Sequence, residues 1–409
     1  MGSSLFDRRV DRSNSQSLKD MMTPQRVKDA GLVCYWGAEF DFPTCPAFSR
    51  GVASCAERGL YAFTMQNDRY NERVVWWMQH VRGWEVSPEW IVPTHGTIFG
   101  LASAIRIFCS KEKSLLVFSP GYNRYAQAAS RMGLPFEYLR LLEPEDQAQM
   151  AQEQEKQGQK MTGRRNGYRI DFPALEKRLA SGQIGLIVLC NPNNPTGTLF
   201  PREELEELDA LSRRYQVPVY SDEIFAEVIL DEGVRAVPFG EISGTEGLSM
   251  TCTSLGKCMS LTGVNHANVL IPNPALRGRY IHQKYADHYG SIDPMLYAGL
   301  MEAYTEEGKA FVEELCEVIR ENVRILEQRL PEILPGARVV HPQGTYVAWV
   351  DYRRTGMDDE ALRRFLEEEA LFYGDVGTDY HDSAQFYRYS LAVPSKELQK
   401  SMDFMEHLR

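Results

Sequence analysis

Short apolar runs alternate with helical stretches through the middle of the chain. The runs span residues 184–189, 217–220 and 248–251, and residues 202–214 between the first two have a helical pattern. Strands that alternate with helices in this way form a mostly parallel sheet with helices on both of its faces. Sites in such sheets lie beyond the carboxyl ends of the strands. The pattern therefore predicts an α/β fold with a binding site along one edge of its sheet.

Three polar residues follow these predicted strands closely. Asn194 lies in the turn Asn-Pro-Asn-Asn-Pro-Thr-Gly, Asp222 closes an apolar run, and Lys257 lies in a short polar turn. The Ser-x-x-Lys pattern around the lysine is weak by itself, because most lysines are solvated surface charges. The shared position beyond strand ends is stronger, and it predicts that the three side chains meet in one cleft.

These side chains match the needs of pyridoxal 5′-phosphate (PLP). PLP is an aromatic aldehyde that forms a Schiff base with an amine, and Lys257 is the candidate amine. The ring nitrogen of PLP stays protonated when it faces a buried carboxylate, for which Asp222 is the candidate. Asn194, held in a rigid turn, can donate to the phenolic oxygen of the ring. The residues therefore predict a PLP site in which Lys257 and Asp222 are catalytic.

Other parts of the chain offer candidates for binding the phosphate and the substrate. A phosphate is bound by backbone N–H groups at a helix start and by hydroxyls, which Gly96, Thr97 and Ser254 can supply. An ordinary strand-to-helix turn is the alternative for the first two. The planar guanidinium of Arg388 can bind the α-carboxylate of an amino-acid substrate in bidentate fashion. The ring of Tyr122 can stack on the pyridine ring as a catalytic aromatic, or it can simply cap the edge of the sheet.

The same residues, together with four further segments, resemble a known family. The set is similar to that of the fold-type I PLP enzymes, the aspartate aminotransferase superfamily. Within it, the chain resembles the cystathionine β-lyase-like C–S lyases of the class I/II aminotransferases. The segments that carry this closer match are residues 35–42 (Tyr-Trp-Gly-Ala-Glu-Phe-Asp-Phe), residues 58–69, residues 342–346 (Pro-Gln-Gly-Thr-Tyr), and Asn265, eight residues after Lys257.

The resemblance implies a PLP-dependent transferase-like fold with two domains. A large domain with a mostly parallel seven-stranded sheet would be joined to a smaller α+β C-terminal domain. The implied divisions are residues 1–50 for an N-terminal arm and small-domain segment, 51–290 for the large PLP-binding domain, and 291–409 for the small domain. The resemblance also implies a homodimer with its active site at the subunit interface and a small-molecule amino-acid substrate.

Patterns near the two ends of the chain predict further elements. Residues 1–30 are polar and are predicted to lie as an arm on another surface, which the resemblance places on a partner subunit. In the C-terminal part, the predicted helices are 308–330, 358–369 and 395–408, and the predicted strands are 388–392 and 339–351, the latter with a bend.

The resemblance adds three residues to the predicted site. Asn265 stands where many aminotransferases carry a phosphate-binding arginine and where the lyases carry a polar residue. Ala38 would lie in a close-packed loop beside the ligand, although an ordinary strand entering the core is the alternative for this segment. Tyr61 is a candidate substitute for the tyrosine that relatives send from the partner subunit to the phosphate, because Phe63 at the matching position has no hydroxyl.

Charge and composition argue against several classes of partner. The formal net charge of -11 argues against nucleic acid and anionic membranes. No apolar run reaches the roughly 20 residues that span a bilayer. The eight cysteines show no metal-ligand spacing and are predicted to be buried free thiols in a reducing compartment. The polar run at residues 143–167 is predicted to be an exposed excursion without chemistry. We therefore expect a cytoplasmic protein without a metal or a membrane partner.

Three functions fit these residues. The first is a PLP-dependent C–S β-lyase that acts on a cysteine S-conjugate or cystathionine-like amino acid, which residues 35–42 and Asn265 favour. The second is a PLP-dependent aminotransferase, which needs the same side chains around the cofactor. The third is a PLP-fold sensor or an inactive homologue. Phe225, where relatives carry tyrosine or histidine, and the loop at residues 372–388 depart from the usual lyase pattern, which suggests an unusual substrate in specialised sulfur metabolism.

Overall fold

Seven strands form the larger of two sheets. The computed structural model describes residues 4–13, 15–145 and 167–408. The strand order is β1-β7-β6-β5-β4-β2-β3, in which β7 runs antiparallel to both neighbours and the other pairs are parallel. The bounds are β1 Ile91–Thr94, β2 Ser114–Ser119, β3 Phe136–Arg140, β4 Ile184–Cys190, β5 Val219–Asp222, β6 Ser249–Thr253 and β7 Ala267–Leu270. The predicted mostly parallel sheet is confirmed, with the three apolar runs as β4, β5 and β6.

The described chain contains fourteen α-helices. Their bounds are α1 Leu18–Met22, α2 Gln25–Asp29, α3 Pro46–Arg58, α4 Asp68–His80, α5 Thr97–Phe108, α6 Arg124–Arg131, α7 Phe172–Ala180, α8 Arg202–Tyr215, α9 Phe239–Ser243, α10 Pro274–Ala286, α11 Pro294–Ala303, α12 Glu306–Ile333, α13 Asp359–Arg363 and α14 Ser395–Glu406. The predicted helix at 202–214 is confirmed as α8. The predicted excursion at 143–167 falls almost entirely on residues 146–166, outside the described residues.

Alternate residues of the central strands pack on opposite faces of the sheet. In β2, Leu115 and Val117 belong to a buried cluster that includes side chains of α5, α6 and α10. Leu116 and Phe118 belong to another cluster, with side chains of α7 and α8. Successive residues of a strand point to opposite sides, so a strand buried on both faces is apolar throughout. This explains why the runs in the sequence are continuous rather than alternating.

A second, four-stranded antiparallel sheet lies in the C-terminal part of the chain. Its order is β10-β11-β9-β8, with β8 Arg338–Val340, β9 Val347–Asp351, β10 Asp375–Val376 and β11 Phe386–Ser390. The predicted helices of this region are confirmed as α12, as α13 continued by a π-helix at Arg364–Glu369, and as α14. The predicted strand at 388–392 is present but two residues earlier. The domain divisions at residues 50 and 290 stay predictions.

The single bent strand predicted at residues 339–351 is wrong. The segment forms β8 and β9, and the residues between them leave the sheet. The backbone N–H groups of Gln343 and Gly344 donate to the Gly197 carbonyl in the turn after β4, at 3.0 and 3.1 Å. A Cβ on Gly344 would come within 2.7 Å of Pro192. The segment therefore packs against the edge of the larger sheet instead of continuing its own strand.

The N-terminal arm packs on its own chain. The Phe6 ring is buried with its centroid 5.0 Å from those of Phe42 and Phe311. Lys19 is buried as well, and its ammonium lies 2.7 Å from the Asp41 carboxylate. The expectation that these residues lie on a partner subunit is therefore wrong at Phe6 and Lys19. Residues 33–42 form a loop and not a strand. The loop contacts the arm at Asp41 and the smaller sheet at Tyr35, whose carbonyl accepts from the Ser390 backbone N–H of β11 at 2.9 Å.

The structure also describes the cysteines, the length and polarity of the helices, and the residues that could hold a metal ion. All eight cysteines are free thiols, and all but Cys109 are buried, as predicted. Across the described ranges, no helix has the length and apolar character needed to cross a membrane. The same ranges contain no group of three histidine, cysteine, aspartate or glutamate side chains placed to hold a metal ion.

Candidate active site

The carboxyl edge of the larger sheet brings the predicted residues together. Asp222 is the last residue of β5, and Lys257 follows the end of β6 by four residues. Asn194 follows the end of β4 by four residues, and Tyr122 follows the end of β2 by three. These strands run parallel, so their carboxyl ends meet at one edge. Arg388 reaches the same edge through its hydrogen bond to the Asn194 Oδ1, at 2.9 Å.

The amine of Lys257 is held by a backbone carbonyl. Its Nζ donates to the Ala38 carbonyl oxygen at 3.0 Å. The hydroxyls of Tyr346 and Thr262 donate to the same oxygen, at 2.8 and 3.3 Å. Burial, with the nearby charge of Arg388, lowers the pKa of Lys257 to about 8. About a fifth of the amine is therefore neutral, and nucleophilic, at pH 7.4, against about 0.1% for a solvated lysine.

Phe225 forms one wall beside this amine. Nζ of Lys257 lies 5.8 Å from the centre of the Phe225 ring. The ring in turn packs on Tyr346, with 5.3 Å between centroids. A ring without a hydroxyl cannot hydrogen bond to a ligand oxygen, so position 225 contributes shape and low polarity.

The carboxylate of Asp222 is buried and hydrogen bonded. The Tyr125 hydroxyl donates to its Oδ2 at 2.6 Å, and the Ile224 backbone N–H donates to its Oδ1 at 3.3 Å. Burial raises the pKa of Asp222 to about 6, against the opposing effect of the Tyr125 hydrogen bond. The carboxylate is thus mostly ionised at pH 7, in an environment of low polarity where a cationic partner would bind strongly.

Arg388 lies in β11 with its guanidinium between two side chains. Its Nη1 donates to the Asn194 Oδ1 at 2.9 Å, and its Nε and Nη2 donate to the Asp375 Oδ2 at 3.1 and 2.6 Å. Because the Asn194 oxygen is used in this way, its amide NH2 group is left as the donor. The guanidinium carbon also lies 4.8 Å from the centre of the Tyr380 ring. The structure thus joins Asn194 and Arg388, which the sequence analysis assigned to different groups of the ligands.

Tyr122 is half-buried in the turn that follows β2. Its ring packs edge-on against Tyr125 with 5.5 Å between centroids. Burial raises the pKa of Tyr122, while Arg124 and Arg388 act to lower it and Asp222 to raise it. Stacking of this ring on the pyridine ring stays a prediction.

The turn before α5 has the features of an anion site. Gly96 precedes the first residue of α5, Thr97, with a φ of 87°, which favours glycine. The backbone N–H groups of the first helical turn are free to bind an anion. The Asn265 Oδ1 would lie 3.8 Å from a Cβ at position 96, so the exposed Asn265 borders this turn. The Ser254 hydroxyl donates to the His266 carbonyl at 2.7 Å, and it must rotate to reach a ligand.

One predicted residue lies apart from the others. The side chain of Tyr61 is 58% exposed, and that of Phe63 is 95% exposed. Their segment is joined to a distant part of the chain by a bridge between Thr64 and Ile292. Within a single chain, the structure shows no contact of Tyr61 with the cleft.

Sequence reasoning missed three residues of the site. Tyr125 follows Tyr122 by three positions in the Pro-Gly-Tyr-Asn-Arg-Tyr segment, and helical spacing could have placed both on one face. Tyr346 was noticed only as part of a resembling segment. Asp375 carries no local signal, because its contact with Arg388 arises from the pairing of β10 with β11.

The side chains present fit PLP. The amine of Lys257 suits its aldehyde, the buried Asp222 suits its ring nitrogen, and the free amide of Asn194 suits its phenolic oxygen. The helix start at Gly96 suits its phosphate. Each polar part of the cofactor thus has a complementary group at the same edge of the sheet.

Comparison with known proteins supports this interpretation. The family model for class I and II aminotransferases matches residues 45–403. Cystathionine beta-lyase PatB of Bacillus subtilis is 26% identical over 376 residues, which cover 92% of each chain. The crystal structure of cystalysin from Treponema denticola, which contains PLP, has a TM-score of 0.86 at 24% identity and covers 98% of both chains. The PLP-bound C-S lyase from Staphylococcus hominis has a TM-score of 0.82 at 24% identity, over 99% of this chain and 98% of that one. The two structural likenesses establish the fold.

Proposed function

Because this chain belongs to the class I and II aminotransferase family, we propose that it is a PLP-dependent C–S β-lyase. Its substrate would be a cysteine S-conjugate or a cystathionine-like amino acid. The reaction consumes one water and yields a thiol, pyruvate and ammonia. The observation that carries the proposal is the meeting of the Lys257 amine, the Asp222 carboxylate and the Arg388 guanidinium in one cleft.

The chain's own residues divide the chemistry between them. PLP, when bound, supplies an aldehyde for the substrate amine and a ring that delocalises the electron pair left at the α-carbon. Arg388 binds the α-carboxylate and orients the substrate. Lys257 removes the proton from the α-carbon as a general base, and its lowered pKa suits this task near neutral pH. Asp222 holds the proton on the ring nitrogen.

The proposal of a lyase rather than an aminotransferase is supported by the relatives. The B. subtilis relative is named a cystathionine beta-lyase, and its similarity extends over 92% of this chain. Asn265 beside the Gly96 turn agrees with the lyase pattern, where many aminotransferases carry an arginine. An aminotransferase remains the second candidate, because the family model itself describes that activity.

Product analysis distinguishes the two activities. The PLP-loaded protein is incubated with an S-alkyl cysteine in the absence of any keto acid. We expect pyruvate and thiol to form in equal amounts, because elimination regenerates the cofactor without a second substrate. Turnover that requires an added keto acid and releases no thiol would refute the lyase and support the aminotransferase. If no turnover is found either without or with an added keto acid, the chain is the PLP-fold sensor or inactive homologue.

We also propose that the chain acts as a homodimer whose interface includes residues 60–65. This short segment exposes Leu60, Tyr61, Phe63 and Met65 to solvent. Exposed apolar side chains that are contiguous mark a contact surface. A partner copy on this surface would bring Tyr61 to a cleft that the single chain does not let it reach.

Sedimentation tests the dimer. We expect a mass twice the 46.7 kDa of one chain, and a shift to the monomer in Phe63→Asp, which places a charge in the interface without disturbing the fold of one chain. Val234→Asp is the matched control, since Val234 is also an exposed apolar side chain, at 45%, but lies outside the segment. A fully active wild-type monomer would contradict the proposal.

A further inference from the structure

The Arg388 guanidinium is bound to a buried carboxylate of its own chain. Asp375 and Arg388 stand opposite each other in the β10–β11 pair. The exposed fractions are 3% for Arg388 and 6% for Asp375, so the ion pair is shielded from water. The Gly37 backbone N–H donates at 3.1 Å to the same Oδ2 of Asp375 that accepts from Arg388. Asp375 thus ties the arginine to the loop whose Ala38 carbonyl holds Lys257.

The hydrogen bonds of Arg388 limit what else it can bind. An arginine has five N–H donors in a fixed fork. Asp375 takes the donor on Nε and one on Nη2, and Asn194 takes one on Nη1. One N–H on each terminal nitrogen is left, so at most one bidentate carboxylate can bind. A substrate carboxylate therefore binds to Arg388 while the guanidinium is still ion-paired with Asp375.

We propose that Asp375 is a positioning residue that offsets the charge of Arg388 and so sets how tightly the site holds an α-carboxylate. This inference rests on the proposed function, in which Arg388 binds that group. A buried cation without a partner destabilises the site, and an arriving carboxylate would relieve that cost. With Asp375 in place the cost is already relieved. The site then binds a carboxylate weakly, which favours release of a carboxylate product such as pyruvate.

Asp375→Asn separates the charge of this residue from its geometry. The three hydrogen bonds described for Asp375 all end on one oxygen, Oδ2. The amide oxygen of an asparagine can take that place and keep all three, so the variant removes the negative charge alone. The probe is propionate, which has a carboxylate and no amine to react, and propionamide is its neutral counterpart. Binding is measured by calorimetry and by the shift in Tm, on protein with and without PLP.

We expect Asp375→Asn to bind propionate at least about tenfold more tightly than wild type, since an uncompensated buried charge contributes more than the 1.4 kcal/mol that a factor of ten requires. Propionamide binding is expected to stay unchanged. KM for the S-alkyl cysteine should fall with the dissociation constant of propionate, while kcat does not rise. A residue with only a structural role would raise KM and weaken propionate binding, so either of those results overturns the proposal.

Two further variants keep the test decisive. Asp379→Asn removes an exposed carboxylate of the same loop that also interacts with the charge of Arg388. It should change propionate affinity by less than about threefold, because exposed charges are screened. Asp375→Glu keeps the charge and should bind propionate within about threefold of wild type; a tenfold gain there would overturn the proposal even if Asp375→Asn did not fold. If no lyase turnover is found but Asp375→Asn binds propionate more tightly, the proposed function fails while the role of Asp375 holds.

Discussion

Replacing Lys257 with alanine should lower lyase turnover by at least about 10⁴-fold, the upper range for a positioned proton-transfer group. The loss is expected to be this large because one amine both bonds to the cofactor and moves the substrate proton. Borohydride reduction should attach PLP to the peptide that contains Lys257 in the wild type. The same treatment of Lys257→Ala should leave every peptide unlabelled, as mass spectrometry would show.

Lys284→Ala is the matched control for this experiment. Lys284 is also a mostly buried lysine, and burial lowers its pKa to about 8 as well. It lies in α10 with its ammonium 5.4 and 5.5 Å from the centres of the Tyr285 and Tyr289 rings, and its removal should leave turnover and labelling intact. Attachment of PLP to Lys284, or turnover that survives in Lys257→Ala, would contradict the assignment.

The pH dependence of cofactor uptake gives a second measurement on the same amine. Only a neutral amine attacks an aldehyde, and the pKa of Lys257 is lowered to about 8. Uptake of PLP by the cofactor-free wild type should therefore rise with pH through a midpoint near that value. A solvated lysine would give a midpoint about two units higher, and that outcome would show that the amine is not buried.

Asp222→Asn should lower turnover by about 10² to 10³-fold, the loss expected when one preorganised electrostatic group is removed. The amide is of similar size but has no charge with which to keep a proton on the ring nitrogen. Affinity for PLP should also fall by at least about 30-fold, since truncating one member of a buried charge pair costs about 2 kcal/mol or more. Fluorescence titration of the cofactor-free protein measures the affinity directly.

Tyr125→Phe is a milder variant to compare with Asp222→Asn. It removes the 2.6 Å hydrogen bond to the Asp222 Oδ2 and leaves the carboxylate in place. Because the charge of the carboxylate stays in this variant, PLP affinity should fall less than in Asp222→Asn. If Asp222→Asn bound PLP and turned over like wild type, the carboxylate could not be the partner of the ring nitrogen.

The sequence was sufficient to predict the large sheet and the edge at which the candidate site residues lie. Continuous apolar runs identified β4, β5 and β6, because strands buried on both faces need apolar side chains throughout. The ends of those strands then pointed to Asn194, Asp222 and Lys257. Gly96 was predicted at a helix start because a glycine there lets the backbone come close to a phosphate.

The sequence was not sufficient where contacts join distant segments. The arm was expected on a partner subunit, yet Phe6 and Lys19 are buried against their own chain. The bent strand at 339–351 proved to be two strands, because its middle residues hydrogen bond to the turn after β4. Local patterns do not encode either contact, as both depend on which surface lies nearby once the sheets have formed.

What the sequence by itself determined is the order of apolar runs and turn residues, and hence the edge of the sheet at which the amine, the acid and the amide gather. Only the tertiary structure decided which partner each of them has. Tyr125 and Asp222 are 97 positions apart, and Asp375 and Arg388 are 13 apart on paired strands. Periodicity arises from neighbours along the chain, whereas these partners are set by strand register and packing, which bring side chains together whatever their separation in sequence.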